Sequence, residues 1–230
     1  MAFKCQNPLL TLRPSIGRFY RMSNIKATWK AAFTQPLFKK LLYVGATLTT
    51  LVLIFFQYFF AIIEKRDGFV MNDCLLHVLP AVNVSYLIFA IIWTTTIYTL
   101  IRCLQHPMIC LTLIWSFLIL CIARIASISL VPFNPPQQLV PLIDPITNIF
   151  YGGTFITKDL FFSGHTSTQF IFSLCLIHSK EKWIMYISTV AVGILVLLQH
   201  VHYSVDVLAA PFFAWLCFIV AKKITHHASH

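Results

Sequence analysis

Long apolar runs alternate with short polar stretches along this chain. Six runs stand out: Leu41–Ile63, Val84–Leu104, Met108–Val131, His165–His178, Trp183–Gln199 and Tyr203–Val220. A helix of about 20 apolar residues spans the ~30 Å hydrocarbon core of a bilayer. A membrane barrel instead needs segments of about ten residues with alternating polarity, and this chain shows none of that alternation. The pattern predicts an all-α, polytopic membrane protein built as a six-helix bundle over residues 41–223. The fourth run is short and opens with polar residues, so its end is expected to dip below the membrane surface. Residues 1–40 precede the bundle and 224–230 follow it as a tail. Neither an internal repeat nor a low-complexity tract divides the chain.

Composition supports the same reading. Apolar residues make up 58% of the chain, charged residues 10%, and the mean hydropathy is +0.79. Soluble domains average about 45–50% apolar and ~25% charged. So little charge cannot coat a water-facing surface, which excludes a soluble enzyme, a disordered chain and a coiled coil.

Charge then sets an orientation. Residues 1–40 carry Lys4, Arg13, Arg18, Arg21, Lys26, Lys30, Lys39 and Lys40 and no acid. The first apolar run begins after this basic stretch, so a cleaved signal is not expected and the first span reads as permanent. Placing the N-terminus inside and alternating puts Arg102, Lys180, Lys182, Lys222 and Lys223 on the same side, with Glu181 as that side's acid. The outer loops then hold Lys65, Arg66 and Lys158 against Glu64, Asp67, Asp73, Asp144 and Asp159. Basic residues concentrate on the cytoplasmic side of membrane proteins, so both termini are expected there. The expected location is an inner membrane of bacterial type. The stretch Ile16–Phe33 mixes aromatics with bases, which suits either an interfacial helix on anionic lipid or a tail that only fixes topology. Topology accounts for the net charge of +10, so nucleic acid is not expected as a partner.

Cysteines and terminal histidines offer no framework. No CxxC pair exists, and the cysteines mostly lie in or beside spans, where apolar packing is their ordinary role. No Cys/His cluster has zinc-ligand spacing, so no metal and no cofactor is expected. His226, His227 and His230 read as a solvated tail.

Ionisable residues inside spans cost at least about 2.5–3.5 kcal/mol on insertion scales, which marks them as functional candidates. Arg124 lies in the third run. His165 opens the fourth, within Ser163-Gly164-His165-Thr166. His202 and Asp206 open the sixth. The alternating topology brings all four to one membrane face. His202 and Asp206 are i and i+4, on one helix face. The carboxylate can then hold one imidazole nitrogen and fix the tautomer, or the pair can merely neutralise Asp206. Ser163-Gly164 suits an N-cap followed by amides open to an anion, or an ordinary helix start. Arg124 can clamp a phosphate or pair with an acid such as Asp159. Together the four point to phosphoryl transfer, which needs fixed positive charge, a nucleophile and an acid for the leaving group.

The motifs Leu160-Phe-Phe-Ser-Gly-His165-Thr and His200-Val-His202-Tyr-Ser-Val-Asp206 resemble the two signature motifs of the sphingomyelin synthase family, a branch of the type 2 phosphatidic acid phosphatase (PAP2) superfamily. Arg124-Ile-Ala-Ser127 and the prolines after it resemble a third stretch, and Asp73 before Pro80 is a faint echo of the first. The resemblance covers roughly residues 40–223. It implies a His-His-Asp triad. His202 would be the nucleophile, Asp206 its orienting carboxylate, and His165 the acid and then the base. A phosphohistidine would link the two steps. Arg124 and the Ser163-Gly164 region would hold phosphoryl oxygens, and Lys158 and Asp159 would help select the headgroup. The implied partners are a phospholipid donor and a lipid alcohol acceptor, ceramide or diacylglycerol. The superfamily's phosphatases carry a K-x6-R-P motif and a Ser-Arg pair before the nucleophilic histidine; Leu195-Val196 stand in the latter place here, which favours the transferase branch. The alternatives are a lipid phosphate phosphatase and a catalytically silent lipid-binding protein.

Overall fold

The computed structural model describes residues 25–142 and 156–229. The predicted interfacial stretch before Ile25, Cys5, Asp144 and His230 lie outside the described residues. Two short helices and six longer ones follow in order: α1 (Ile25–Thr34), α2 (Pro36–Ile63), α3 (Cys74–Val78), α4 (Ser85–Gln105), α5 (Pro107–Leu130), α6 (Gly164–Cys175), α7 (Ser179–Leu198) and α8 (Ser204–Thr225). Among the described residues there is no named strand; one parallel bridge joins Phe69 to Phe133.

Five helices are long and apolar enough to cross a membrane: α2, α4, α5, α7 and α8. Their outward faces carry Tyr43, Leu51, Ile54, Tyr86, Trp183, Ile187, Leu208 and Phe212 in the open. A continuous apolar surface of this kind suits hydrocarbon rather than water. The fourth expected span behaves differently. It is a helix of 12 residues that ends at Cys175 instead of His178, about 18 Å long at 1.5 Å per residue. That length falls short of a bilayer core. The chain reverses through an extended Leu176 and restarts at Ser179 with His178 as N-cap.

Other boundaries move because hydropathy marks where hydrocarbon begins, not where a helix begins. α2 starts at Pro36 rather than Leu41, with proline in its first turn, a place where the missing N–H costs nothing. α7 starts at Ser179, so Lys180, Glu181 and Lys182 are helical, and α8 runs past Lys222 and Lys223 to Thr225.

The core is a set of helix contacts. α5 packs most extensively on α8, α6 on α7 and α8, and α2 on α5. Phe56, Phe59, Phe60 and Ile63 of α2 meet Cys121 and Ile128 of α5. Phe162, just before α6, stacks on Phe213 of α8 at 4.8 Å and 13°. Ile88 of α4 packs with Val192, Leu195 and Val196 of α7. Leu195 and Val196 are thus packing residues here. At the end of the bundle where α4 meets α5, α1 folds back, and the Trp29 indole donates to Leu104 O at 2.7 Å. A short 3-10 turn, His226–Ser229, follows α8; it leaves His226 and His227 exposed and buries Ala228 against Phe38 and Leu111.

Candidate functional site

Three helix ends meet at one end of the bundle: the C-terminal part of α5 and the N-termini of α6 and α8. A cavity of about 410 Å³ opens there, lined by Arg124 of α5, Gly164, His165, Thr168 and Gln169 of α6, and Val201 and His202 from the turn before α8. Thr157 and Asp159 of the loop complete the polar end; Phe56 and Phe60 of α2, Phe89 and Trp93 of α4, and Phe117 of α5 supply an apolar wall.

One histidine comes from the first turn of α6 and the other from the turn before α8, yet their ring centroids lie 6.4 Å apart, edge to face. His202 is 4% exposed and Asp206 is fully buried. His202 Nδ1 lies 3.3 Å from Asp206 Oδ2. The expected shared helix face is not what brings them together: His202 lies in the turn before α8, and Asp206, third residue of the helix, reaches back over the N-cap Tyr203 to meet it. Asp206 is itself fixed by backbone donors: Phe161 N–H donates to Oδ1 at 3.2 Å and Tyr203 N–H to Oδ2 at 3.1 Å. An acid in the first turn also suits the positive end of the α8 dipole. Phe161 sits at φ 99, a conformation costly for a side-chain-bearing residue. The Asp206 carboxylate and the Phe162–Phe213 stack hold the segment there.

His165 has no such carboxylate. Its Nδ1 is buried without a hydrogen-bond partner among the described residues, and its ring meets the edge of Phe89 at 6.3 Å. One imidazole is therefore locked and the other is not.

Arg124 pairs with Asp159 through Nη2 and Oδ1, so the acid named as its possible partner is its partner. The guanidinium also lies directly over Gly164: a Cβ added there would overlap Nη1 and Cζ. Glycine is required for this close approach. The arginine is thereby wedged between the start of α6 and the loop, facing the same cavity as both rings. Burial alone would raise the Asp159 carboxyl, but the charge and hydrogen bond of Arg124 hold it below the usual carboxylate value.

Ser163, expected to hold a phosphoryl oxygen, and Lys158, expected to help select the headgroup, are placed elsewhere. Ser163 is fully buried and does not line the cavity. Its hydroxyl caps α6, accepting from Thr166 N–H at 3.3 Å, and its own N–H donates to Asp206 O at 3.0 Å. Lys158 turns away from the cavity and its Nζ donates to Arg66 O.

Several supporting residues carry no motif. Glu64, at the end of α2, accepts from Thr157 N–H at 2.6 Å, Thr157 Oγ1 at 2.8 Å and Lys158 N–H at 2.8 Å. It fixes the loop that presents Asp159. Asp73 caps α3 through Leu75 N–H at 3.0 Å and, with its other oxygen, accepts Ser204 N–H at 2.6 Å. Burial would raise this carboxyl, but hydrogen bonds from Ser204, Leu76 and Leu75 leave it below the usual value. The Tyr203 hydroxyl donates to Asn134 O at 2.9 Å. Gln199 ties three segments: it accepts Val84 N–H at 3.1 Å and donates to Ser85 Oγ at 2.6 Å and Pro141 O at 3.0 Å. Together these contacts fix the turn that carries His202. The signal available in sequence was modest: acids and amides immediately beyond apolar runs.

Residues 158–223 match the family model described as PAP2 superfamily C-terminal. The matched segment holds Asp159, His165, His202 and Asp206 but not Arg124 or α2–α5. No curated protein and no solved structure matches the chain. The match supports membership of the PAP2 superfamily, which, with the apolar helices, indicates a lipid enzyme of phosphatase or phosphotransferase type in a membrane.

Proposed function

We propose that the protein is a membrane lipid phosphotransferase of sphingomyelin synthase type. It moves a phospho-headgroup from a phospholipid to a lipid alcohol, ceramide or diacylglycerol, through a phosphohistidine. The observation that carries this reading is the pair of imidazoles 6.4 Å apart on one cavity with Arg124 between them and the loop. That spacing accommodates one phosphoryl group.

The chemistry follows from the hydrogen bonds. His202 Nδ1 carries its proton toward Asp206, so Nε2 holds the free electron pair and attacks phosphorus. The bond from phosphorus to the departing glycerolipid oxygen breaks, and protonated His165 gives that oxygen its proton. Neutral His165 then takes the proton of the acceptor hydroxyl, whose oxygen attacks phosphorus while the N–P bond breaks. Arg124 holds the phosphoryl oxygens, and Asp159 keeps its guanidinium in place. No step requires a metal ion. The apolar wall of Phe56, Phe60, Phe89, Trp93 and Phe117 suits the chains of a lipid. The asymmetry of basic residues supports a site on the exoplasmic side with both termini cytoplasmic.

Hydrolysis, with water in place of the acceptor alcohol, is the second reading, favoured by the PAP2 match itself. Purified protein offered a labelled phospholipid with and without ceramide or diacylglycerol separates the two. Product that requires the second lipid supports transfer; free headgroup phosphate or free phosphate without it supports hydrolysis. No turnover in either condition, with His202→Ala equal to wild type, contradicts both.

A further inference from the structure

One turn beyond His165, α6 places a carboxamide in the wall of the same cavity. Gln169 is 1% exposed, and its Oε1 is buried with no hydrogen-bond partner among the described residues. Buried polar groups in native proteins are nearly always hydrogen-bonded, and an exception calls for an explanation. Packing supplies none, since leucine has a similar shape without the unsatisfied oxygen. The facing helices contribute Phe89, Ile92 and Trp93 from α4 and Phe117 and Leu120 from α5. An unpartnered polar group set among the apolar wall of a ligand-sized cavity has the character of a ligand contact.

Its position relative to the chemistry is defined. His165 and Gln169 are i and i+4 on one face of α6, about 6 Å apart along the axis. A phosphoryl group held by the two histidines therefore has the Gln169 carbonyl next to the part of the lipid that joins its reacting oxygen to its chains. An N-acylated amino alcohol places an amide N–H there, on the carbon beside the reacting CH₂–OH. An all-ester glycerolipid offers only ester oxygens, which would face Oε1 oxygen to oxygen.

We infer that Gln169 is a specificity-determining residue: it accepts a hydrogen bond from a donor borne by the acceptor lipid a few bonds from the reacting oxygen. This rests on the phosphotransferase reading for its consequence in turnover, but the contact itself can be measured in binding. The full chain in lipid nanodiscs is given a fluorescent lipid, which is competed by an N-acyl amino alcohol and by its N-methyl amide counterpart. Wild type is expected to favour the N–H lipid by about 10- to 100-fold, and Gln169→Leu and Gln169→Met to bind the two within about 2-fold of each other. Equal binding of the pair by wild type, a preference for the N-methyl lipid, or a preference kept by both variants overturns the inference. The wild-type comparison decides alone if neither variant folds. Headgroup transfer to the N-acyl amino alcohol and to diacylglycerol is measured in parallel, transfer to either counting as transfer. Transfer without the lipid preference overturns only the role of Gln169, whereas the preference without transfer upholds the contact and overturns the parent function.

Discussion

Among the described residues two arginine–acid pairs stand out, one near each end of the bundle, and they are put to different use. At the end opposite the site, Arg102 of α4 meets Glu181 of α7 at 3.1 Å, with side chains 13% and 16% exposed. Arg102 also donates to Gln105 Oε1 at 2.5 Å. Neither residue lines the site cavity; the pair bolts two helices together. At the site end, Arg124 and Asp159 are paired with similar burial, 13% and 25%, but the guanidinium also faces two imidazoles and a glycine with no room for a Cβ. A buried ion pair is thus weak evidence of function by itself. The other groups that share its cavity make the difference.

Substitutions sharpen that contrast. His202→Ala is expected to lower headgroup transfer by about 10⁴-fold or more, with binding of the donor lipid kept. Asp206→Asn leaves the imidazole in place but loses its orienting carboxylate; a fall of roughly 10³–10⁴-fold in kcat is expected, and an effect below tenfold would break the triad assignment. Arg124→Lys keeps the charge and loses the planar fork. Transfer should fall about 10²–10³-fold, while melting temperature in detergent changes little. Glu181→Gln should do the reverse: transfer stays within a few-fold of wild type while stability falls, by up to about 3–5 kcal/mol if the pair behaves as fully buried. Equal losses of activity from Arg124→Lys and Glu181→Gln would erase the distinction between the two ends.

The smallest effect concerns acid. The Asp73 carboxyl is held below the ordinary value of 3.8 in the folded chain. A depressed folded value contributes stability above the unfolded pKa, and that contribution is lost as pH falls through the lowered one. Asp73→Asn should therefore flatten the decline in melting temperature below about pH 4 while helix capping is largely kept, since asparagine caps nearly as well. An unchanged acid limb would show that the Ser204 contact contributes nothing.

Much of this was legible in the sequence, and the missing parts have physical reasons. Apolar runs marked five of the long helices, and a separation of four residues kept Asp206 near His202, because both are properties of one segment at a time; that His202 sits in the turn before α8 rather than on its face was not legible. Polar residues at the start of the fourth run signalled an atypical segment, but not that the helix stops at Cys175. Lys158 and Asp159 are neighbours in sequence, yet in the loop before α6 one reaches Arg66 and the other Arg124, and no local pattern sets those partners. Ser163 answers to its own helix, as N-caps do, and so does not face the cavity. Glu64 and Gln199 act on segments 93 and 114 residues away, pairings that no local pattern encodes. Gln169 carries no motif, and only the cavity beside it sets it apart from the other polar residues of α6.

The central claim is that His202 takes the phosphoryl group. Rapid quenching of the protein with a donor phospholipid labelled at phosphorus, in the absence of acceptor, followed by alkaline work-up and peptide mapping, tests it most directly. The expected result is an acid-labile, alkali-stable label on the peptide containing His202, lost in His202→Ala and discharged on adding the acceptor lipid. Label on another residue, or full turnover by His202→Ala, would contradict the account.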